Sequence, residues 1–153
     1  MIAVLQRVYS AKVFSDGIFT GEIGKGLYIL IGVKHTDSDA DAVRLAEKIS
    51  KMRIFSDECG KLNLSLADTS SEALVVPNFT LCACYSHGNR PEYLEAARPP
   101  EAKRLFELFL FELRSRLKRV ESGVFGTNMR TELSTDGPIT IVMDSEKLHG
   151  GRK

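Results

Sequence analysis

The chain has 153 residues, of which 43% are hydrophobic and 27% are charged, and its formal net charge is +1. This size and composition are typical of one globular domain with a core of its own, and no apolar run is long enough to cross a bilayer. A protein that grips a long duplex through its phosphates is usually more basic, so the charge argues against that class while allowing contact with the end of an RNA.

The N-terminus and the cysteines favour a cytoplasmic protein without membrane association. The opening residues, MIAVLQRVYSAKV, lack the basic segment, long apolar stretch and small-residue cleavage site of a secretory signal. The three cysteines are an odd number without the spacing of a disulfide framework, which is typical of a reducing compartment.

The first third of the chain predicts strands followed by a helix. Asp16-Gly17 separates two strand-like runs and is a strong hairpin signal. Residues 27–33 are almost wholly apolar, which predicts a central strand covered on both faces. The segment TDSDADAVRLAEKISKMRIF then places apolar residues on one helical face, and Asp37 or Ser38 can cap this helix.

Residues 71–84 predict another strand, but Pro77 and Asn78 stand at its centre. Proline cannot donate to a sheet ladder and is normally kept to strand edges and bulges. We interpret Thr80 as a strand residue that could line a site, because a threonine hydroxyl is a poor nucleophile without a base and none is adjacent in sequence.

The second half predicts a polar loop, a helix and more strands. The helix, PEAKRLFELFLFELRSRLKRV, has Pro100 in its first turn. Its apolar residues occupy more than one stripe, so we expect burial on two sides, a partner subunit being one way to cover the second. The following strands are expected to break at Gly137-Pro138. Residues 1–145 are predicted to form a single domain, and residues 146–153 a flexible polar tail.

The predicted elements run strands, helix, strands, helix, strands. Regular alternation of strand and helix is missing, so a doubly wound parallel sheet is not expected. The sequence therefore predicts a mixed α/β fold with a mostly antiparallel sheet and two main helices gathered on one side.

No standard catalytic motif is present, and the histidines His35, His87 and His149 are scattered. Cys82, Cys84 and His87 form a C-x-C-x-x-H pattern that zinc could accept, but a closed site needs a fourth ligand. The simpler interpretation is two small strand residues and a loop histidine, so we predict no metal and no cofactor.

The dipeptide Gly137-Pro138 has two interpretations. One is an ordinary turn. The other is a special peptide geometry, because X-Pro bonds can be cis and a preceding glycine adds freedom. Such a dipeptide can present its carbonyl oxygens as rigid acceptors, which suits recognition of the amino group of a small substrate by positioning and electrostatics.

With these features, the chain resembles the D-aminoacyl-tRNA deacylase family over roughly residues 1–145. The resemblance rests on short motifs spread along the whole chain. They are Gln6-Arg7-Val8, GEIGKGL at 21–27, the RIF to NLSL pattern at 53–66, Phe79-Thr80-Leu81, the G-x-R-P loop at 88–91, the F-G-x-x-M pattern at 125–129 and the D-G-P-x-T-I pattern at 136–141.

The resemblance implies a homodimer of β/β/α layers that hydrolyses the ester between a misplaced amino acid and tRNA, in chiral proofreading of translation. Its partner is aminoacyl-tRNA, bound through the 3′ terminal adenosine and the aminoacyl group. Backbone donors and a hydroxyl of the RNA replace a protein nucleophile. The resemblance implies roles for nine residues: Phe79 and Thr80 at the reacting ester, mainly through their backbone; Pro77, Asn78 and Leu81 beside them; Gly137 and Pro138 as a cis chiral gate that enters the partner subunit's site; Arg7 as a brace of that gate; and Met129 near the pocket.

The chain departs from the usual family motifs at two places. Pro77-Asn78 replaces Ser-Gln, and Thr135 replaces Asn before the Gly-Pro dipeptide. A sister family with relaxed chirality has Pro and Thr at these points and a trans Gly-Pro bond. Three hypotheses therefore remain: a deacylase for D-aminoacyl-tRNA and glycyl-tRNA, a relaxed deacylase that removes a small L-amino acid from non-cognate tRNA, and a non-catalytic module that binds the tRNA end. A cis bond would favour the first and a trans bond the second.

Overall fold

The structure, a computed structural model, describes residues 1–148. Residues 149–153 of the predicted polar tail lie outside the described residues, and its first residues belong to the 3-10 turn Ser145–Leu148. Within residues 1–148, no helix has both the length and the apolar character that crossing a membrane requires.

Residues 1–148 form eight strands and three α-helices. The strands are β1 (Ile2–Ser15), β2 (Ile18–Ile23), β3 (Gly26–Gly32), β4 (Phe55–Ser56), β5 (Leu62–Leu64), β6 (Glu72–Pro77), β7 (Val120–Ser122) and β8 (Met129–Asp144). The helices are α1 (Asp39–Lys51), α2 (Leu66–Thr69) and α3 (Glu101–Arg114).

Six of the eight strands form one mixed sheet. Its order is β2-β1-β3-β6-β7, and β8 pairs with β1. The pairs β3–β6 and β6–β7 are parallel, and the pairs of β1 with β2, β3 and β8 are antiparallel. Strands β4 and β5 make a separate small antiparallel pair. The prediction of a mixed α/β fold with a mostly antiparallel sheet is confirmed.

The central strands of the sheet are buried on both faces. Helices α1 and α3 pack on one face, where Leu45 and Phe109 share one buried core with Ile29 of the central strand. On the other face, the second half of β1 and strand β2 fold back over β3 and β6, so that Val13 packs with Leu74. These two cores separate three layers, β/β/α, as the resemblance implied.

Local signals in the first third are realised as predicted. Asp16 and Gly17 have φ angles of 49° and 81°, which suit the tight turn between β1 and β2. Helix α1 begins after Ser38, whose N–H donates to the Asp41 carboxylate at 2.9 Å. Strand β3 is buried along nearly its whole length, which confirms the predicted central strand.

Two predictions about the later strands are wrong in detail. The predicted strand at 71–84 ends at Pro77, and Phe79–Cys82 forms a 3-10 turn, so Thr80 is not a strand residue. The predicted break at Gly137-Pro138 is a bulge inside the continuous strand β8. In both places the sequence signalled an interruption correctly but did not reveal its kind.

Helix α3 buries one broad face within the chain, with Leu105, Phe106 and Phe109 in the core. Phe111 is on another face and is 67% exposed. That a partner subunit covers this second face of α3 stays a prediction.

Candidate active site

A cleft of about 960 Å³ opens beside the end of β6. Its walls come from three separate parts of the chain: the residues after β6, the loop at 93–99, and the segment that leads into β8. Its described lining is Asp16, Tyr28, Leu30, Ile31, Val33, Val76, Pro77, Asn78, Phe79, Tyr93, Leu94, Ala96, Ala97, Arg98, Pro99, Ala102, Phe106, Phe125, Gly126, Thr127, Asn128, Met129 and Thr131.

The first wall is built by the way β6 ends. The Asn78 N–H donates to the Ile31 carbonyl at 2.7 Å, which is the last backbone bond from this segment to β3. Pro77 brings no N–H, and the Asn78 side chain then accepts from the Thr80 N–H at 3.1 Å and from the Thr80 hydroxyl at 2.5 Å. Asn78 thus caps the 3-10 turn and directs the chain into the cleft wall.

Phe79 is the exposed element of this turn. Its ring is 59% exposed and meets the Tyr93 ring edge to face, with centroids 5.1 Å apart. The exposed Phe79 ring, braced by Tyr93, offers an apolar face of the kind that bases and sugars stack on.

The turn can lie close to the sheet because β3 ends in Gly32. A Cβ built on Gly32 would come within 2.9 Å of the Leu81 Cβ, 3.1 Å of the Asn78 carbonyl oxygen and 3.2 Å of the Cys82 sulfur. The backbone approach therefore requires glycine at this position.

The second wall joins the β1–β2 hairpin to the segment before β8. The Asp16 N–H donates to the Asn128 carbonyl at 2.8 Å, and the Asn128 N–H donates to the Asp16 carboxylate at 3.0 Å. The Val124 N–H donates to the Ser15 hydroxyl at 3.2 Å. These bonds hold the start of β8, and with it Met129, at the edge of the cleft.

The cleft lining is mostly apolar and includes the phenol of Tyr28. Burial raises the pKa of Tyr28 above its ordinary value, and a hydrogen bond with the Thr131 side chain offsets part of this rise. Tyr28 is therefore a neutral hydroxyl at physiological pH.

The bulge in β8 lies apart from this cleft. Val8 pairs with Thr135 and Gln6 with Thr140, so residues 136–139 stand opposite Arg7 alone. Gly137 and Pro138 are exposed, and the peptide bond between them is cis.

Arg7 and Asp136 join the base of this bulge to the body of the protein. The Arg7 Nε lies 2.8 Å from Asp136 Oδ2, an ionic contact in which the N–H is not aligned on the oxygen. The guanidinium also donates to Asp136 Oδ1 at 3.2 Å and to the Ile54 carbonyl at 2.7 Å. The two side chains are only 12% and 15% exposed, so little water screens the pair.

Residues 4–144 match the model of the D-Tyr-tRNA(Tyr) deacylase family. The chain belongs to this family. It is 48% identical over 151 residues to the D-aminoacyl-tRNA deacylase of Thermomicrobium roseum, covering 99% of this chain and 98% of that protein. It is 50% identical over 153 residues to the D-aminoacyl-tRNA deacylase of Chloroflexus aurantiacus, covering 100% of this chain and 96% of that protein. The family predicted from the motifs is confirmed.

Solved structures show the same fold. The c-Myc DNA unwinding element binding protein superposes with a TM-score of 0.88 at 35% identity, over 94% of this chain and 98% of its own. A probable eukaryotic D-amino acid tRNA deacylase superposes with a TM-score of 0.83 at 15% identity, over 93% of this chain and 97% of its own, which speaks for the fold alone.

The predicted site residues of this deacylase-family chain fall into two groups. Four of them line the cleft: Pro77, Asn78, Phe79 and Met129. Thr80 and Leu81 belong to the same turn but not to the lining. Arg7, Gly137 and Pro138 lie at the bulge and are not part of the cleft of their own chain.

Sequence reasoning missed several lining residues. Tyr28, Tyr93, Arg98, Asn128 and Thr131 reach the cleft from four separate segments, and only the fold brings these together. The F-G-x-x-M motif marked the segment that contains Asn128, but no local pattern singled out the two tyrosines.

The C-x-C-x-x-H pattern is not a single cluster in the structure. Cys82 is the buried last residue of the 3-10 turn, with its sulfur next to Gly32, and burial raises the pKa of its thiol. Cys84 and His87 lie on the outer loop, where Glu92 joins them. The two cysteines therefore do not act on one ligand.

Proposed function

We propose that this chain hydrolyses the ester bond of mischarged aminoacyl-tRNA, with D-aminoacyl-tRNA and glycyl-tRNA as substrates, and releases free amino acid and tRNA. The observation that carries the proposal is a cleft walled by the Pro77–Phe79 segment in a chain that matches the deacylase family from residue 4 to residue 144. The motifs spread along the chain and the high identity to proteins named D-aminoacyl-tRNA deacylase support the same assignment.

The proposed chemistry relies on the backbone. The Phe79 N–H opens the 3-10 turn, where helical N–H groups lack an acceptor within the helix. A donor placed there can stabilise the oxyanion that forms when water adds to the ester carbonyl. The carbon–oxygen bond to the ribose then breaks, leaving the amino acid and the terminal hydroxyl of the tRNA.

Side chains contribute positioning and not covalent catalysis. Among the described residues, the cleft lining contains no histidine, cysteine or lysine. The Thr80 hydroxyl donates to the Asn78 amide oxygen, which is not a base, so Thr80 is not activated as a nucleophile. A hydroxyl of the RNA, which the resemblance implies, fits a site of this kind.

We also propose that the working enzyme is a homodimer in which the Gly137-Pro138 bulge of one subunit completes the cleft of the other. The bulge is exposed and lies outside the cleft of its own chain, so it is free to serve a second copy. The Arg7–Asp136 pair would keep its carbonyl oxygens in a fixed direction. Rigid acceptors of this kind could select the amino group of the substrate and exclude L-configured side chains.

A deacylation panel tests the proposed reaction. Purified protein is given D-Tyr-tRNA, L-Tyr-tRNA and Gly-tRNA, and released amino acid is measured over time. We expect fast release from the first and third and slow release from the second. Binding of tRNA without release from any of them would overturn the proposal and favour a non-catalytic module.

A mixing experiment tests the shared site. One variant carries Gly137→Ala and Pro138→Ala, and the other carries Phe79→Ala; each alone is expected to be inactive. Co-expression gives heterodimers that hold one intact cleft facing one intact bulge, so about a quarter of the wild-type sites should return. No return of activity in a sample shown to contain heterodimers would contradict the shared site.

The relaxed-chirality alternative rests on Pro77, which lines the cleft where the family usually has serine. Pro77 offers neither a hydroxyl nor a backbone N–H to a substrate. Adding L-Ala on a non-cognate tRNA to the panel separates the two hypotheses, because only the relaxed enzyme would release L-alanine as fast as glycine.

A further inference from the structure

The loop after the 3-10 turn carries a second cluster of chemically active side chains. One ligand atom each from Cys84, His87 and Glu92 lies within 4.8 Å of the others. We propose that these three residues bind a divalent cation of the zinc type. The site lies outside the cleft lining and has no part in the proposed deacylation chemistry.

The distances suit a tetrahedral metal after small side-chain rotations. The His87 Nδ1 is 4.0 Å from Glu92 Oε1, whereas two ligands of a tetrahedral zinc are about 3.3–3.8 Å apart, given metal–ligand distances of about 2.0–2.3 Å. The Ser86 hydroxyl lies between the other pair, 3.1 Å from the Cys84 sulfur and 3.0 Å from His87 Nδ1.

The backbone preorganises two of the three ligands. Cys84 and Glu92 form an isolated antiparallel bridge in which each N–H donates to the other's carbonyl at 2.8 Å. Directly opposed residues of this kind send their side chains to the same face. Gly88, with a φ of 93°, lets the chain reverse between them, and His87 is carried on this reversal.

The ligand set selects the class of ion. Thiolate and imidazole favour zinc and related transition metals over magnesium and calcium, which prefer an all-oxygen shell. A thiolate and a carboxylate together balance the charge of a divalent ion, and the neutral imidazole adds none. Three protein ligands leave the fourth tetrahedral position to water.

A metal ion at this site would affect the structure of the loop beside the cleft. Glu92 directly precedes Tyr93, whose ring packs on Phe79 at the cleft. The His87 side chain is 83% exposed, so a metal bond would fix a side chain that is otherwise mostly in solvent. Binding is therefore expected to order the loop at 84–92.

Cobalt provides the test, because a thiolate bound to Co²⁺ gives a charge-transfer band in the near ultraviolet. The full chain carries Cys59→Ser, which removes an exposed thiol outside the proposed site. We expect one equivalent of Co²⁺ to produce the band, Zn²⁺ to displace it, and amide exchange at 84–92 to slow.

Matched variants in the same background locate the site. Cys84→Ser should abolish the band. His87→Ala or Glu92→Gln should each weaken metal binding at least about tenfold, because mutating even a residue that only hydrogen-bonds to a metal ligand typically lowers metal affinity by this factor. His35→Ala, an exposed histidine elsewhere, should bind like the parent.

Two results would overturn the proposal. One is the absence of a band and of any heat of Zn²⁺ binding in the folded parent protein. The other is unchanged binding after Cys84→Ser, which would place the metal elsewhere. Circular dichroism of each variant checks that the fold is retained, and neither readout depends on deacylase activity.

Discussion

At Pro77 strand β6 ends and the chain enters a 3-10 turn, whereas at Pro138 strand β8 bulges and then continues to Asp144. The first interruption is secured within three residues, by the Asn78 side chain bonded to Thr80. The second is secured by the pair of Asp136 with Arg7, which are far apart in sequence.

The difference shows how little a proline in a strand-like run decides by itself. Proline removes one ladder donor in both cases. Whether the strand then stops depends on the next residues in the chain: Asn78 offers a capping oxygen, whereas after Pro138 the ladder resumes with Thr140 opposite Gln6. The two segments should therefore respond differently to substitution.

The largest effect is expected at the bulge, from Arg7→Ala. This change leaves the Asp136 carboxylate poorly solvated and unpaired and removes the bond to the Ile54 carbonyl. Breaking a buried ion pair costs about 3–5 kcal/mol, and the partial exposure of this one reduces the expected loss of unfolding free energy to about 2–4 kcal/mol. Urea denaturation measures it.

The double variant Arg7→Ala, Asp136→Ala is the control for this prediction. It removes the stranded carboxylate, so it should be more stable than Arg7→Ala alone. A double variant that is less stable than the single one would show that the pair is not the contact that secures the bulge.

A matched pair of glycine substitutions compares the two segments directly. Gly32→Ala pushes a methyl group into the Leu81 Cβ and the Asn78 carbonyl, so it should cost about 1–3 kcal/mol of unfolding free energy. A Cβ on Gly137 meets no atom within 4 Å, so Gly137→Ala should change stability by less than about 0.5 kcal/mol. Equal losses in the two variants would contradict the close approach of the turn to β3.

Sequence reasoning reached the fold because its signals were local. The Asp16-Gly17 turn, a helix cap at Asp37 or Ser38 and the apolar strand at 27–33 depend on neighbours in the chain. The structure has the turn, a helix capped at Ser38 and a strand at Gly26–Gly32. The motifs also indicated the family, which residues 4–144 match.

The residues that line the cleft were harder to predict from the sequence. Tyr28 and Tyr93 come from distant segments, and their proximity is set by packing and not by a pattern. Glu92 was missed at the outer loop because its partner across the chain reversal, Cys84, is eight positions earlier and the bridge between them is a tertiary feature. The roles assigned to the nine predicted site residues remain predictions.

At the turn, Asn78→Ala removes the capping oxygen. Loss of such a cap typically costs about 1 kcal/mol, so the unfolding free energy should fall by about that amount, less than for Arg7→Ala. Deacylation should also slow, because the Phe79 N–H is aimed by the same turn. Asn78→Asp keeps an oxygen at this position and serves as the control; a loss as large as for alanine would show that the cap is not the cause.

The smallest effect is expected from Thr80→Val, which keeps the shape of the side chain and deletes its hydroxyl. The hydroxyl is exposed and bonds only to Asn78 among the described residues, while the Thr80 N–H still reaches the same oxygen. The unfolding free energy should change by less than about 0.5 kcal/mol, and the single-turnover rate on D-Tyr-tRNA should stay within about threefold. A nucleophile would behave otherwise, because its removal leaves only the residual rate from binding and oxyanion stabilisation, a loss of about 10⁴-fold or more. A loss of that size would indicate that Thr80 is a nucleophile. It would also show that the turn after Pro77 is more sensitive to substitution than the bulge at Pro138.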